Sequence, residues 1–215
     1  MNIGILGTGM VGRTIGSRLI QLGHKVKMGS RTADNENAAQ WVAANGTHAS
    51  HGTFAEAAAF GELIFNCTAG IASLNALNMA GAEKLRGKIL IDVANPLDFS
   101  HGMPPSLSVC NTDSLGEQIQ RSFPETIVVK TLNTVNCNIM VNPSLVASPQ
   151  DMFVCGNDGE AKAMVKRLLK EWFGWESVID LGDITAARAM EMMLPLWIRL
   201  WGILQTSTFG FRIAR

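Results

Sequence analysis

Near the N-terminus, Gly7-Thr8-Gly9-Met10-Val11-Gly12 carries the spacing G-x-G-x-x-G. The pattern has meaning only between a strand and a helix, inside a βαβ unit of about 30 residues. Here it follows the apolar run Asn2 to Leu6. It opens a segment in which Val11, Ile15, Leu19 and Leu22 recur on one helical face. In that setting Gly7 permits a tight turn, Gly9 admits a pyrophosphate to the backbone, and Gly12 lets helix and strand pack closely. The free N–H groups of the helix start would face the anion. Thr8, Met10 and Val11 complete a loop suited to a dinucleotide.

Which dinucleotide depends on the end of the second strand. A site for NAD places Asp or Glu there, about 20 residues on, to hold the ribose hydroxyls. This chain reads Met28-Gly29-Ser30-Arg31-Thr32, and no acid appears before Asp34. Ser30 can donate a hydroxyl and Arg31 a charge-assisted fork, which suits a 2′-phosphate and selects NADP(H).

Ligands of open α/β sheets lie across the carboxyl ends of the strands. Three loops qualify there: Asn66-Cys67-Thr68-Ala69, Asn95-Pro96-Leu97, and Thr131 through Asn136. Thr68, Ala69, Asn95, Thr134, Val135 and Asn136 are the expected cofactor contacts. Such small polar residues serve hydrogen bonding rather than proton transfer. No His/Asp or Ser/Lys constellation stands out, so no catalytic residue is assigned. His48 and His51 are three apart, which on a strand faces them to opposite sides, and no metal site is expected. Cys67 and Cys137 fall near the expected cleft, and without a neighbouring base they read as buried bystanders.

Positioning these loops requires alternating strands and helices. Strands are expected at Asn2 to Leu6, His24 to Met28, Thr47 to Ser50, Leu63 to Cys67, Lys88 to Val93, Thr126 to Lys130, Met152 to Cys155 and Ser177 to Leu181. Helices are expected at Met10 to Leu22, Asn35 to Ala44, Phe54 to Phe60, Ala72 to Lys84 and Ser114 to Phe123. Asn157 with Glu160 reads as a capping pair for another, closed by Gly174. The alternation implies a Rossmann-type, doubly wound, mostly parallel sheet in one NADP-binding domain, 1–215. Within it 1–150 forms the nucleotide-binding core and 151–215 a C-terminal strand–helix extension.

The extension ends in a long helix from Asp183, with Ala187, Met190, Leu194, Trp197, Trp201 and Leu204 on one stripe. Met193, Leu196, Ile198, Leu200 and Ile203 make most of the rest apolar, and such a helix must be buried. Little chain remains to cover it, so a homodimer seam is expected. Pro195 should kink it.

Composition excludes other classes. The 215 residues are 47% hydrophobic and 17% charged, as in an ordinary globular protein. Lys plus Arg equals Asp plus Glu at 18 each, which argues against nucleic acid as a partner. Leu194 to Leu204 is too short to span a membrane, where about 20 apolar residues are needed. Four cysteines without a C-x-x-C pair suit a reducing compartment. With no room for a signal peptide before Met1-Asn2-Ile3, the expected location is the cytoplasm.

Together these residues resemble the NADPH-dependent deazaflavin (coenzyme F-420) oxidoreductase family, to which the cytosolic domains of eukaryotic membrane metalloreductases are also similar. The marks are the glycine loop, Gly29-Ser30-Arg31, Lys130-Thr131-Leu132-Asn133-Thr134-Val135, Phe153-Val154-Cys155-Gly156-Asn157-Asp158 and the closing helix Arg188 to Leu200. The resemblance implies that Thr8, Ser30 and Arg31 hold the 2′-phosphate and that Thr134 to Asn136 place the nicotinamide. Two positions depart from it: Asn133 stands where the deazaflavin enzymes carry His, and Asn35 where they can carry a phosphate-binding Lys. The implied activity is hydride transfer between nicotinamide and a flavin or deazaflavin, a small-molecule electron acceptor. The alternatives are a reductase of a small carbonyl or imine, and a non-catalytic NADP(H) sensor.

Overall fold

The computed structural model describes residues 1–214. In chain order the elements are β1 (Asn2–Leu6), α1 (Met10–Gln21), β2 (Lys25–Ser30), α2 (Glu36–Asn45), β3 (Ala49–Thr53), α3 (Phe54–Phe60) and β4 (Leu63–Asn66). There follow α4 (Gly70–Ala80), α5 (Ala82–Leu85), β5 (Ile89–Asp92), β6 (Leu97–Asp98), β7 (Ser106–Leu107), α6 (Leu115–Ser122), β8 (Ile127–Thr131) and α7 (Cys137–Val141). The last are β9 (Asp151–Cys155), α8 (Gly159–Leu168), β10 (Ser177–Asp180) and α9 (Ala187–Leu204).

Eight strands form one sheet in the order β10-β9-β8-β5-β4-β1-β2-β3. The reversal at β1 and β4 is the switch point of a doubly wound sheet, confirming the Rossmann-type fold. Strands β1 to β5 and β8 are parallel, whereas β9 runs antiparallel to β8, with Thr131 opposite Val154. After β8 the chain stays at the carboxyl end of the sheet, where α7 packs on α1. It therefore re-enters the sheet from that end, and no crossover is needed. Two residue pairs, Leu97 with Leu107 and Asp98 with Ser106, make a separate small hairpin within the loop after β5.

Side chains alternate between two cores, as the pleat requires. Ile3, Ile5, Leu63, Phe65, Ile91 and Val129 enter the layer beneath α1, α2, α7 and α8. Leu6, Ile64, Leu90 and Val128 enter the opposite layer, which receives Leu77, Ile119, Ala187 and Met190 from the other helices. Both faces are covered, which accounts for strands that read apolar throughout.

Several local expectations are corrected. Strand β3 begins at Ala49 rather than Thr47, because Gly46 to His48 form a 3-10 turn. Thr53 and Glu56 then make the capping box of α3. Asp158, not Asn157, caps α8, accepting from the Ala161 N–H at 2.8 Å, while Asn157 accepts from Ile184 N–H at 3.0 Å. The closing helix starts at Ala187 after a 3-10 turn and continues through Pro195. Its buried residues are Ala187, Met190, Glu191, Leu194 and Ile198, whereas Trp201, Ile203 and Leu204 are exposed. Burial along the whole helix is thus not found: the buried positions run from Ala187 to Ile198, and the end of the helix at Trp201, Ile203 and Leu204 is exposed. No helix among the described residues is long and apolar enough to cross a membrane.

Candidate functional site

The turn after β1 is built around glycine. Gly7 has φ +117°, its N–H donates to Gly29 O at 3.0 Å, and a Cβ there would lie 2.6 Å from Cys67 O. A Cβ on Gly12 would lie 2.3 Å from Gly7 O, so only glycine lets α1 start against the turn it leaves. Gly9 is the N-cap of α1, provides no side-chain cap, and has open space where a Cβ would point. The first N–H groups of α1 thus keep no side-chain acceptor, which leaves them to an anion in that space.

A cavity of about 390 Å³ beside this turn is lined by Thr8, Ser30, Arg31, Thr32, Asn35 and Phe54. Ser30 sits at the carboxyl end of β2, buried, with its hydroxyl donating to Thr32 O at 2.5 Å. Arg31 is exposed and forms no ion pair among the described residues. Asn35 caps α2 by accepting from Ala38 N–H at 3.0 Å. Asp34, the first acid after β2, does not line the cavity, and a hydrogen bond from Thr32 holds its carboxyl below the usual range. The rim offers a cation and hydroxyls, with no carboxylate facing them.

A second cleft, also about 390 Å³, lies at the carboxyl ends of β1, β4, β5 and β8. Met10 and Val11 border it on the side of the glycine turn; Thr68, Ala69, Asn95, Val135 and Asn136 form its floor. Leu97, Phe99, Leu194 and Trp197 form the facing wall. Among the described residues, no Asp, Glu, Lys, Arg or His lines it. Its titratable side chains are Cys67 and Cys137, both buried. Burial, then the charge of Asp92, pushes the Cys67 thiol far up.

Beneath the floor lies a closed polar frame. Asn95 and Asn133 exchange hydrogen bonds: Asn95 Nδ2 donates to Asn133 O and Asn133 Nδ2 to Asn95 Oδ1, each at 2.9 Å. Thr68 Oγ1 donates to Asn66 Oδ1 at 2.7 Å, and Asn66 Nδ2 donates to Asp92 Oδ1 at 2.8 Å. Lys130 is fully buried and satisfies all three ammonium protons on Asp92 Oδ2 (2.8 Å), Glu191 Oε1 (2.9 Å) and Ala94 O. Burial alone would lower the Lys130 pKa; the two carboxylates outweigh it and hold the ammonium charged. Glu191 reaches in from α9 and also accepts from the Leu115 and Gly116 N–H groups at the start of α6.

Two buried oxygens in the 131–136 loop, Asn133 Oδ1 and Thr134 Oγ1, have no hydrogen-bond partner among the described residues. Orphaned polar atoms beside a cleft are suited to the carboxamide and ribose of a nicotinamide nucleotide. The open space over Gly9 matches the pyrophosphate. The residues present therefore fit a dinucleotide from the Arg31 cavity to the cleft.

Of the residues expected from sequence, Thr8, Ser30 and Arg31 gather at the cavity beside the glycine turn, and Met10, Val11, Thr68, Ala69, Asn95, Val135 and Asn136 gather at the cleft. Gly7, Gly9 and Gly12 shape the turn between them. Thr134 lies below the cleft surface, buried, rather than in its lining. Sequence reasoning missed the facing wall and the frame. Leu194 and Trp197 lie on the apolar stripe of α9, which was read as an interface, and Glu191 was not singled out. The fully buried Lys130 had one signal: a lone cation within an apolar strand, Ile127-Val128-Val129-Lys130.

Comparison with known proteins places this geometry. Residues 2–96 match the family model of the coenzyme F420-dependent NADP oxidoreductases. A crystal structure from Arthrobacter sp. FB24, provisionally described as an F420-dependent NADP-reductase, is 55% identical; each chain covers 100% of the other, with a TM-score of 0.95. The chain belongs to this family. Among curated relatives of the F420-dependent NADP oxidoreductases, the F420-dependent NADP reductase of Methanocaldococcus jannaschii is 32% identical over 132 residues, 61% of this chain and 58% of that protein. The metalloreductase STEAP3 of Rattus norvegicus is 27% identical over 203 residues, 91% of this chain and 37% of that protein. The chain thus spans about a third to three fifths of the curated relatives it matches. Within the family model fall the glycine turn, Ser30, Arg31, Thr68 and Asn95; the 131–136 loop, Lys130 and α9 lie beyond it.

Proposed function

We propose that the protein transfers a hydride between NADP(H) and a planar flavin or deazaflavin acceptor of the F-420 type. Arg31, Ser30 and Thr8 would bind the 2′-phosphate, the N-terminus of α1 the pyrophosphate, and the floor of the cleft the nicotinamide. Asn133, which lines the cleft, would serve the nicotinamide through its unpartnered Oδ1, with Thr134 beneath it in the same loop.

The observation that carries this reading is the lining of the cleft. Reducing a carbonyl leaves an alkoxide that must receive a proton, and general acid catalysis is the usual device. Among the described residues this cleft is lined by no His, Asp, Glu, Lys or Arg, and its two thiols, Cys67 and Cys137, are buried. Bound NADPH supplies two electrons and one proton as a hydride, and a flavin-type ring accepts it and takes its second proton from water. What this chain contributes is then placement of two rings about 3–3.5 Å apart in a water-poor slot. The F420 in the names of the family, the Arthrobacter structure and the Methanocaldococcus jannaschii relative supports the same acceptor class.

The test is stopped-flow oxidation of NADPH with deazaflavin, FMN and FAD offered in parallel. Rapid oxidation by at least one is expected. Tight NADPH binding with no oxidation by any of the three would refute the hydride-acceptor reading while leaving the dinucleotide site intact.

A homodimer in the cytoplasm is part of the proposal. Leu196, Trp201, Ile203 and Leu204 are 53, 44, 67 and 51% exposed along the outer half of α9, an apolar surface that a second copy would cover. Light scattering on the purified protein should give twice the chain mass of 23.2 kDa.

A further inference from the structure

The wall of the cleft that faces the nucleotide floor has an internal brace. Trp197, on α9, borders the cleft beside Leu194, Leu97 and Phe99. Behind it the chain beyond α9 folds back, and the Phe209 ring stacks on Trp197 with centroids 5.2 Å apart and planes 25° from parallel. Phe211 meets Phe209 edge-on at 6.4 Å and packs into the second core. The backbone there is tied down: Asp151 N–H donates to Phe211 O at 2.8 Å and Ile213 N–H to Asp151 Oδ2 at 2.6 Å. Trp201, four residues on along α9, lies near-parallel to Trp197 at 6.3 Å, 26° apart. The Trp197 indole N–H is buried without a hydrogen-bond partner among the described residues.

Trp197 is thus held in one orientation by a chain of rings running back to the core, more support than a bystander at a cleft edge requires. A ring so fixed is a preorganised platform, and offset stacking of aromatic rings contributes about 0.5–1.5 kcal/mol beyond buried area. We infer that Trp197 positions the electron acceptor by stacking or edge contact with its planar ring, and that Phe209 positions Trp197. The inference rests on the proposed flavin-type acceptor. It adds the residues that hold that acceptor and assigns the C-terminal tail a part in the site. Trp197 handles no proton or electron and is a positioning residue.

The test compares Trp197→Leu, Trp197→Phe and Phe209→Leu with the parent, reading NADPH Kd, acceptor KM and kcat with whichever of deazaflavin, FMN or FAD the parent uses. Removing the ring in Trp197→Leu should raise acceptor KM about 10-fold, the equivalent of 1.4 kcal/mol. Trp197→Phe should restore most of it, Phe209→Leu should give an intermediate rise, and NADPH Kd should stay within about twofold in all three. A KM in Trp197→Leu equal to that of the parent, with NADPH Kd unchanged, overturns the inference and leaves the reaction standing. If Trp197→Leu does not fold, Phe209→Leu decides alone: an unchanged acceptor KM overturns the inference. A parent that oxidises NADPH with none of the three acceptors overturns both readings.

Discussion

Replacing Lys130 with Met keeps the length and apolar stem of the side chain and removes one charge from a site closed to water. Lys130 and Asp92 are 0% exposed and Glu191 1%, so solvent cannot screen what remains. Taking one partner from a buried pair typically costs about 3–5 kcal/mol, because the other charge is left uncompensated. Here two carboxylates lose their cation, but each keeps support. Asp92 retains Asn66 Nδ2 and Ala94 N–H, and Glu191 retains two N–H groups at the start of α6. The lower half of that range, about 3–4 kcal/mol, is therefore expected. Against a typical total of about 5–15 kcal/mol, that is a large loss.

Urea unfolding followed by tryptophan fluorescence would measure it. A loss below about 1 kcal/mol at pH 7 would refute the assignment of an uncompensated charge.

Three further outcomes follow from the geometry. Arg31→Glu should weaken NADPH at least 10-fold while leaving NADH nearly unchanged, since it turns a phosphate fork into a repelling carboxylate; equal losses in a titration of both cofactors would count against the 2′-phosphate cavity. Gly12→Ala puts a methyl 2.3 Å from a backbone oxygen, which cannot swing aside, so unfolding experiments should show about 1–3 kcal/mol of lost stability together with weaker nucleotide binding. The Arg188 hydrogen bonds hold the Glu117 carboxyl below its usual range. A depressed folded pKa gives stability that is present above about pH 4.3 and lost as pH falls. Arg188→Ala should move the acid-unfolding midpoint, read by circular dichroism, to higher pH.

The legible parts of this protein are those encoded by neighbours in the chain. The apolar strands, the helix faces and the turn Gly7 to Gly12 each depend on a few consecutive residues, and they occur close to where their pattern places them, apart from the shifted starts of β3 and α9 and the break between α4 and α5. Ser30 and Arg31 were also readable, because the end of β2 must lie beside the end of β1 once those strands are parallel neighbours.

Loop contents were readable only as candidates. Thr68 and Asn95 meet in one cleft because β4 and β5 are adjacent, yet nothing in the run Thr131 to Asn136 distinguishes Val135, on the surface of the cleft, from Thr134 beneath it.

The rest depends on partners far apart in sequence. The burial of Lys130 is viable only because Asp92 lies 38 residues before it and Glu191 reaches in from α9. Neither pairing has a local signature. The same is true of the reversed strand β9, whose direction follows from where α7 leaves the chain. It holds too for Trp197, whose place on an apolar stripe suits a core, an interface or a cleft wall equally. Hydrophobic periodicity says that a face will be covered, and packing against distant elements selects what covers it.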